Sequence, residues 1–190
     1  VAWRRKDISG TAIGMLYEGW SDSITFFKEV KIRLRDRDAP PADIDADSAC
    51  LSREQNALFL EGNVAVNQGP NRTKSGSLQL FFGADRAIYR AVFRDGFELV
   101  AQGDTGALGF NFPRATGRKT IRGRRLDVTF GAGRKMEEVA AGPEALMIVE
   151  PGPGDPPERR EIRGEALIFK FDPEGKLKEY LGNQGTSIRF

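Results

Sequence analysis

The chain has 190 residues, enough for one substantial core or for a run of smaller units sharing one. Its 29 Lys and Arg against 27 Asp and Glu leave a net charge of +2, too little to recruit a polyanion such as nucleic acid by charge alone. There is no histidine, which removes histidine-based triads, most zinc sites and the usual general base, and the single cysteine, Cys50, cannot form an internal disulfide.

No stretch approaches the ~18 apolar residues of a membrane span, and no signal-peptide pattern opens the chain. The sequence starts at Val1 rather than at methionine, so a leader or anchor helix removed from its front is compatible with it. Helical periodicity is hard to find, whereas apolar and polar residues alternate wherever glycine, proline and charge clusters leave room.

In chain order, the first clear strand is Val30, Ile32 and Leu34 alternating with Lys31, Arg33 and Arg35, one apolar and one cationic face. Residues 35–41, with a charge run and Pro40-Pro41, interrupt the pattern. Strand patterns resume at Leu78, Leu80, Phe82 and at Phe97, Leu99, Ala101. Residues 103–119 are glycine-rich and read as a long loop. Alternation returns at Leu126, Val128, Phe130, stops at the proline-rich residues 151–157, and returns at Leu167, Phe169, Phe171. The last residues, from Gly185 to Phe190, begin a further strand whose open edge would offer backbone donors and acceptors to a neighbour.

Three of these strands form a repeat. A shift of 41 residues carries Gly123 onto Gly164, Leu126 onto Leu167, Phe130 onto Phe171, Met136 onto Leu177 and Val139 onto Tyr180. A copy 48 residues upstream starts at Ser75 and places Leu78, Leu80, Phe82 and Ile88 at matching positions, with the turn 83–87 equal in length to 131–135. Each unit is a β-hairpin that cannot bury its apolar face alone, so successive units must stack on a shared core. The expected organisation is a single domain over 1–190, with units at about 44–74, 75–122, 123–163 and 164–190 and additional N-terminal strands over 1–43.

The segment from Ile44 to Leu51, then Leu60-Glu61-Gly62-Asn63-Val64, echoed by Leu181-Gly182-Asn183 and more faintly by Ala141-Gly142, resembles the repeat of the LptA/LptC-type (OstA-like) lipopolysaccharide-transport proteins. The likeness runs over about residues 44–190. It does not separate an LptA-like bridge unit from an LptC-like unit without its anchor. It implies an all-β fold, an open β-jellyroll of stacked antiparallel strands, located in the periplasm and serving outer-membrane biogenesis. It further implies lipopolysaccharide or a related glycolipid as cargo, other jellyroll transport proteins as partners through edge-strand pairing, and membrane contact through an N-terminal anchor. Neither catalysis, cofactor nor metal is implied.

Leu78, Leu80, Phe82, Leu126, Val128, Phe130, Leu167, Phe169 and Phe171 are the candidate lipid-facing wall, because they occupy equivalent places in three stacked units. An ordinary core has the same pattern. Thirteen phenylalanines against three tyrosines and two tryptophans suit a wide apolar interior, since phenylalanine adds area without a polar atom. Lys31, Arg33, Arg35, Arg122, Arg124 and Arg125 are candidates for phosphate contacts at a groove mouth, but interspersed acids favour a solvated outer face. Gly62, Gly123, Gly164 and Gly182 precede no helix and read as turns or bulges rather than a phosphate cradle. Asp45 with Asp47, and Glu137 with Glu138, lack the companions a calcium or acid-base site needs. The competing functions are a structural or adhesive β-repeat with a solid core and, more remotely, a carbohydrate-active β-solenoid enzyme.

Overall fold

The structure, a computed structural model, describes residues 1–5, 8–35, 40–102, 117–131, 135–153, 159–174, 177–182 and 187–189. In chain order the strands are β1 (Ala2–Arg5), β2 (Ile8–Thr11), β3 (Gly14–Glu18), β4 (Ser23–Leu34), β5 (Ala42–Ser52), β6 (Ala57–Gln68), β7 (Asn71–Phe82) and β8 (Ile88–Gln102). They continue with β9 (Arg118–Gly123), β10 (Arg125–Phe130), β11 (Met136–Gly142), β12 (Ala145–Val149), β13 (Arg160–Gly164), β14 (Leu167–Phe171), β15 (Leu177–Gly182) and β16 (Ser187–Arg189). All pair antiparallel in one sheet that does not close.

A crease crosses this sheet. In β4, β6 and β8 two consecutive residues adopt left-handed backbone: Lys28-Glu29 (φ 55° and 51°), Gly62-Asn63 (75° and 48°) and Asp95-Gly96 (62° and 81°). The pairing register shifts at the same level, between Phe27 and Val30, Asp45 and Ser48, Glu61 and Val64, and Ser75 and Ser77. Such bulges bend a strand and re-aim its side chains. After β8 the chain turns at the crease instead of bending through it. β8 pairs with β10 through residues 90–93 and with β9 through residues 97–102, and the two partners are separated only by Arg124. The Gly96 N–H donates to the Arg124 carbonyl at 3.1 Å, and the Arg124 N–H to the Pro143 carbonyl at 3.2 Å.

The crease divides the sheet into two leaves. The first holds β3, residues 23–27, 48–52, 57–61, 77–82 and 88–94, then β10, β11, β14 and β15. The second holds β1, β2, residues 30–34, 42–46, 64–68, 71–75 and 97–102, then β9, β12, β13 and β16. Their inward side chains form one core cluster, which contains Leu60, Leu78, Leu126 and Phe169 of the first leaf with Ile32, Ile44, Leu99 and Ile121 of the second. Trp3 on β1 stacks on Phe26 of β4 across the interior, with centroids 5.4 Å apart.

The three repeated hairpins share their irregularity: each carries a register shift before the last aromatic residue, at Phe82, Phe130 and Phe171, which then faces Ile88, Met136 and Leu177 respectively. The turns match too, Gly83 N–H bonding to the Ala87 carbonyl and Gly131 N–H to the Lys135 carbonyl, both at 2.8 Å. Ser75, Gly123 and Gly164, where the repeats begin, all stand at the crease.

One expectation needs correction. Of the loop read at 103–119, residues 103–116 lie outside the described residues, but Arg118 and Lys119 belong to β9, paired with Gln102 and Ala101. Arg35, Pro40 and Pro41, and likewise Pro151 to Pro153, lie between strands as expected; residues 36–39 and 154–158 fall outside the described set.

Candidate lipid-binding interior

The nine candidate wall residues all lie on the inner face of the first leaf and belong to the core or pack against it. Antiparallel register aligns them in rows that cross the strands. One row runs Ala49, Leu60, Leu78, Phe93, Leu126, Ala141, Leu167. The next runs Leu51, Leu58, Leu80, Ala91, Val128, Val139, Phe169, Tyr180. At ~4.8 Å per strand, the second row extends roughly 34 Å along the crease. Leu78, Leu126, Leu167 and Phe169 are buried at 1% exposure or less, Leu80, Val128 and Phe171 are buried, and Phe82 and Phe130 are half-buried at the margin away from the crease. Sequence reading missed Leu58, Leu60 and Phe93 in these rows, since membership depends on cross-strand register rather than on any one strand's pattern.

The ends of the interior are aromatic: Trp3 lies on β1, while Tyr180 on β15 packs at 5.2 Å against Phe169. The Tyr180 hydroxyl is buried with no hydrogen-bond partner among the described residues, and burial pushes its pKa up.

The inner face of the second leaf differs. Beside Val30, Ile32, Ile44, Val64, Phe97, Leu99, Ile121 and Met147 it buries Asn71, Thr73 and Lys119, at 3%, 1% and 1% exposure. Sequence reading did not single these three out. In β7 the run Asn71-Arg72-Thr73-Lys74-Ser75 is polar on both faces and gives no hydrophobic period to read.

The cationic residues considered for phosphate contacts lie on the outer face. Arg33 forms a two-pronged pair with Asp43 at 2.6 and 2.8 Å, and these hydrogen bonds hold the Asp43 carboxyl below its ordinary pKa. Arg122 pairs with Glu98 at 2.6 Å, Arg124 with Glu144 at 3.2 Å and Arg125 with Asp127 at 2.8 Å, while Lys31 and Arg35 are exposed. Two open hollows of about 500 and 560 Å³ lie outside the crease; Asp95 and Gly96 line both, joined by Arg72, Lys74 and Glu98 in the first and Arg94, Arg124 and Arg125 in the second. Asp47 accepts a hydrogen bond from Asn63 at 2.8 Å, which ties β5 to the left-handed pair of β6. No group of three metal-ligating side chains occurs among the described residues.

A creased, open antiparallel sheet whose two leaves enclose one shared core, apolar throughout the crossing rows of the first leaf, defines the class: an open β-jellyroll. Residues 11–87 match the family model described as "Lipopolysaccharide-assembly, LptC-related". Among solved structures the chain is similar to LptH, the LptA homologous periplasmic component of the conserved lipopolysaccharide transport device from Pseudomonas aeruginosa. That likeness has 13% sequence identity and a TM-score of 0.57, over 80% of this chain and 95% of that one. No curated protein sequence matches the chain. The sequence match is confined to residues 11–87 and the structural likeness is one of fold, so the chain is similar to the LptA/LptC-type lipopolysaccharide-transport proteins.

Proposed function

We propose that residues 1–190 act as one jellyroll unit that carries a glycolipid, lipopolysaccharide or a close relative, with its acyl chains between the two leaves. The observation that carries this reading is the pair of apolar rows crossing the first leaf from β5 to β14 and β15 without a charged side chain. Each methylene moved from water into such a space gains ~0.8 kcal/mol, so a few carbons per chain give useful affinity. The wall residues are buried before cargo arrives, so loading requires the leaves to part. Along the margins away from the crease, turns join strands within each leaf only, while the two leaves meet at the hydrogen-bonded crease, so parting is a hinge-like widening. The protein makes and breaks no bond; it shields the chains while a partner supplies the energy.

The periplasm is the compartment this reading requires, with an inner-membrane anchor preceding Val1 in the LptC-like case. Partners of the same fold would add to the open edges. These are β1 and β3 at one end, and β15 and β16 at the other, each paired with one strand among the described residues. The β3 edge also exposes Met15, Leu16 and Tyr17, with Trp20 in the adjoining turn at 87% exposure, apolar area of the kind that docking surfaces carry.

Photo-crosslinking tests the cargo. A photoreactive residue at Phe82, Phe130 or Phe169 is expected to form lipopolysaccharide adducts in cells and with purified lipid, and one at the outward Lys31 or Lys170 is not. Folded variants without an adduct at any inward position would leave the interior a plain core and the protein a structural β-repeat.

A further inference from the structure

The two inner faces are chemically unequal, and the inequality has a direction. On the first leaf the inward positions of the crossing rows are apolar as far as the Tyr180 hydroxyl at the end. On the second leaf, the inward positions farthest from the crease include Asn71, the first residue of β7, and Lys119, the second of β9. Both stand beside Ala101 of β8. Lys119 pairs directly with Ala101 and Val149, and Gln102 donates its backbone N–H to the Asn71 side-chain oxygen at 3.2 Å. Asn71 and Lys119 are thus two strand spacings apart, ~10 Å. The Gln102 bond fixes the Asn71 amide by its oxygen. Its Nδ2 donor remains buried and has no hydrogen-bond partner among the described residues. A solid core rarely keeps such a donor unmet, because it loses its water and receives nothing in exchange.

We infer that Asn71 and Lys119 form a headgroup subsite on the second leaf, which takes the anionic, acceptor-bearing end of an amphiphile whose acyl chains lie against the first leaf. This deepens the lipid-carrier reading and rests on it. An amide donor and a lysine amine on one strip suit phosphate oxygens, which accept strong charge-assisted hydrogen bonds. Thr73, two residues nearer the crease on β7, extends the polar strip inward. The subsite orients the cargo, its polar end at the outer margin of the second leaf and its chains toward the crease and the first leaf.

The test is calorimetric titration of the whole chain with dodecyl phosphate, with neutral dodecyl glucoside, both below their micelle concentrations, and with inorganic phosphate. The wild type is expected to prefer dodecyl phosphate about tenfold or more and to show no binding of inorganic phosphate alone. Asn71→Leu and Lys119→Met should each bring the two amphiphiles close to parity by weakening dodecyl phosphate only, and Asn71→Asp should favour the glucoside. Unchanged glucoside binding certifies that a variant is folded. An equal preference in wild type and variants, no preference in the wild type, or phosphate binding without an acyl chain overturns the subsite while leaving the lipid carrier standing. Failure of the wild type to bind either amphiphile overturns the carrier reading and the subsite with it.

Discussion

The strands before residue 103 and those after residue 117 build the same crease by different means. β4 to β8 are long and bend through it, β4, β6 and β8 with two left-handed residues each. β9 to β16 are short and stop at it, handing the chain from one leaf to the other through Arg124, through Pro143-Glu144 and through Glu165-Ala166. Yet the inner rows pass from the first region to the second without a break in register at β8. The difference teaches that the interior, not the continuity of individual strands, is the shared constraint. Bending or interruption serves equally if the apolar faces of both leaves meet.

That comparison can be broken in graded ways. The largest effect belongs to what the regions share: Phe169→Ala in the interrupted region and Leu60→Ala in the bent one, both fully buried, should each lower unfolding free energy by about 3–5 and 2–5 kcal/mol in denaturant titrations. Next come the crease glycines. At Gly62, with φ +75°, an added Cβ would stand 2.8 Å from the Asp47 Cβ, so Gly62→Ala should cost about 2 kcal/mol. At Gly123 the Cβ would meet the tip of the Phe97 ring at 2.9 Å, which can give, so Gly123→Ala should stay within about 1 kcal/mol. Equal losses at the two glycines would remove the distinction between bending and interruption.

Lys28-Glu29 does with unsuitable residues what Gly62-Asn63 and Asp95-Gly96 do with residues that tolerate left-handed backbone. The double change Lys28→Asn with Glu29→Gly should therefore raise stability by about 1 kcal/mol, read as a higher midpoint in the same titration. The smallest effect is electrostatic. Burial acts to raise the Asp127 pKa, but hydrogen bonds and charge from Arg90 and Arg125 outweigh it and hold it below the ordinary carboxylate value. A depressed folded pKa stabilises above the unfolded value near 3.9 and ceases to do so as pH falls through the folded one. Asp127→Asn should lose roughly 1 kcal/mol at pH 6 and approach the wild type as the pH drops below about 4.

What could be read from the sequence follows from which signals are local. The alternation in Leu126-Asp-Val-Thr-Phe130 and its copies reports burial on one face of one strand, so the all-β fold and the inward placement of the nine candidate residues were legible. The repeat starts, at Ser75, Gly123 and Gly164, turned out to be crease positions. The sequence held that information, but a glycine before a strand does not say that a sheet folds there. The polar inner strip was illegible. Asn71 and Thr73 sit in a run with no apolar contrast, and Lys119 follows a glycine-rich stretch that reads as loop; only pairing with Ala101 and Val149 shows which way it faces.

The central claim, that cargo enters between the leaves, is tested most directly by the distance between their margins. Spin labels at Pro70, in the turn that ends the second leaf, and at Asp85, in the turn that ends the first, in a Cys50→Ser background, report it by double electron–electron resonance. With lipopolysaccharide bound, the distribution should shift to longer distances and return when the lipid is removed. An unchanged distribution with stoichiometric lipid bound would contradict the account, because the buried rows would then have stayed closed.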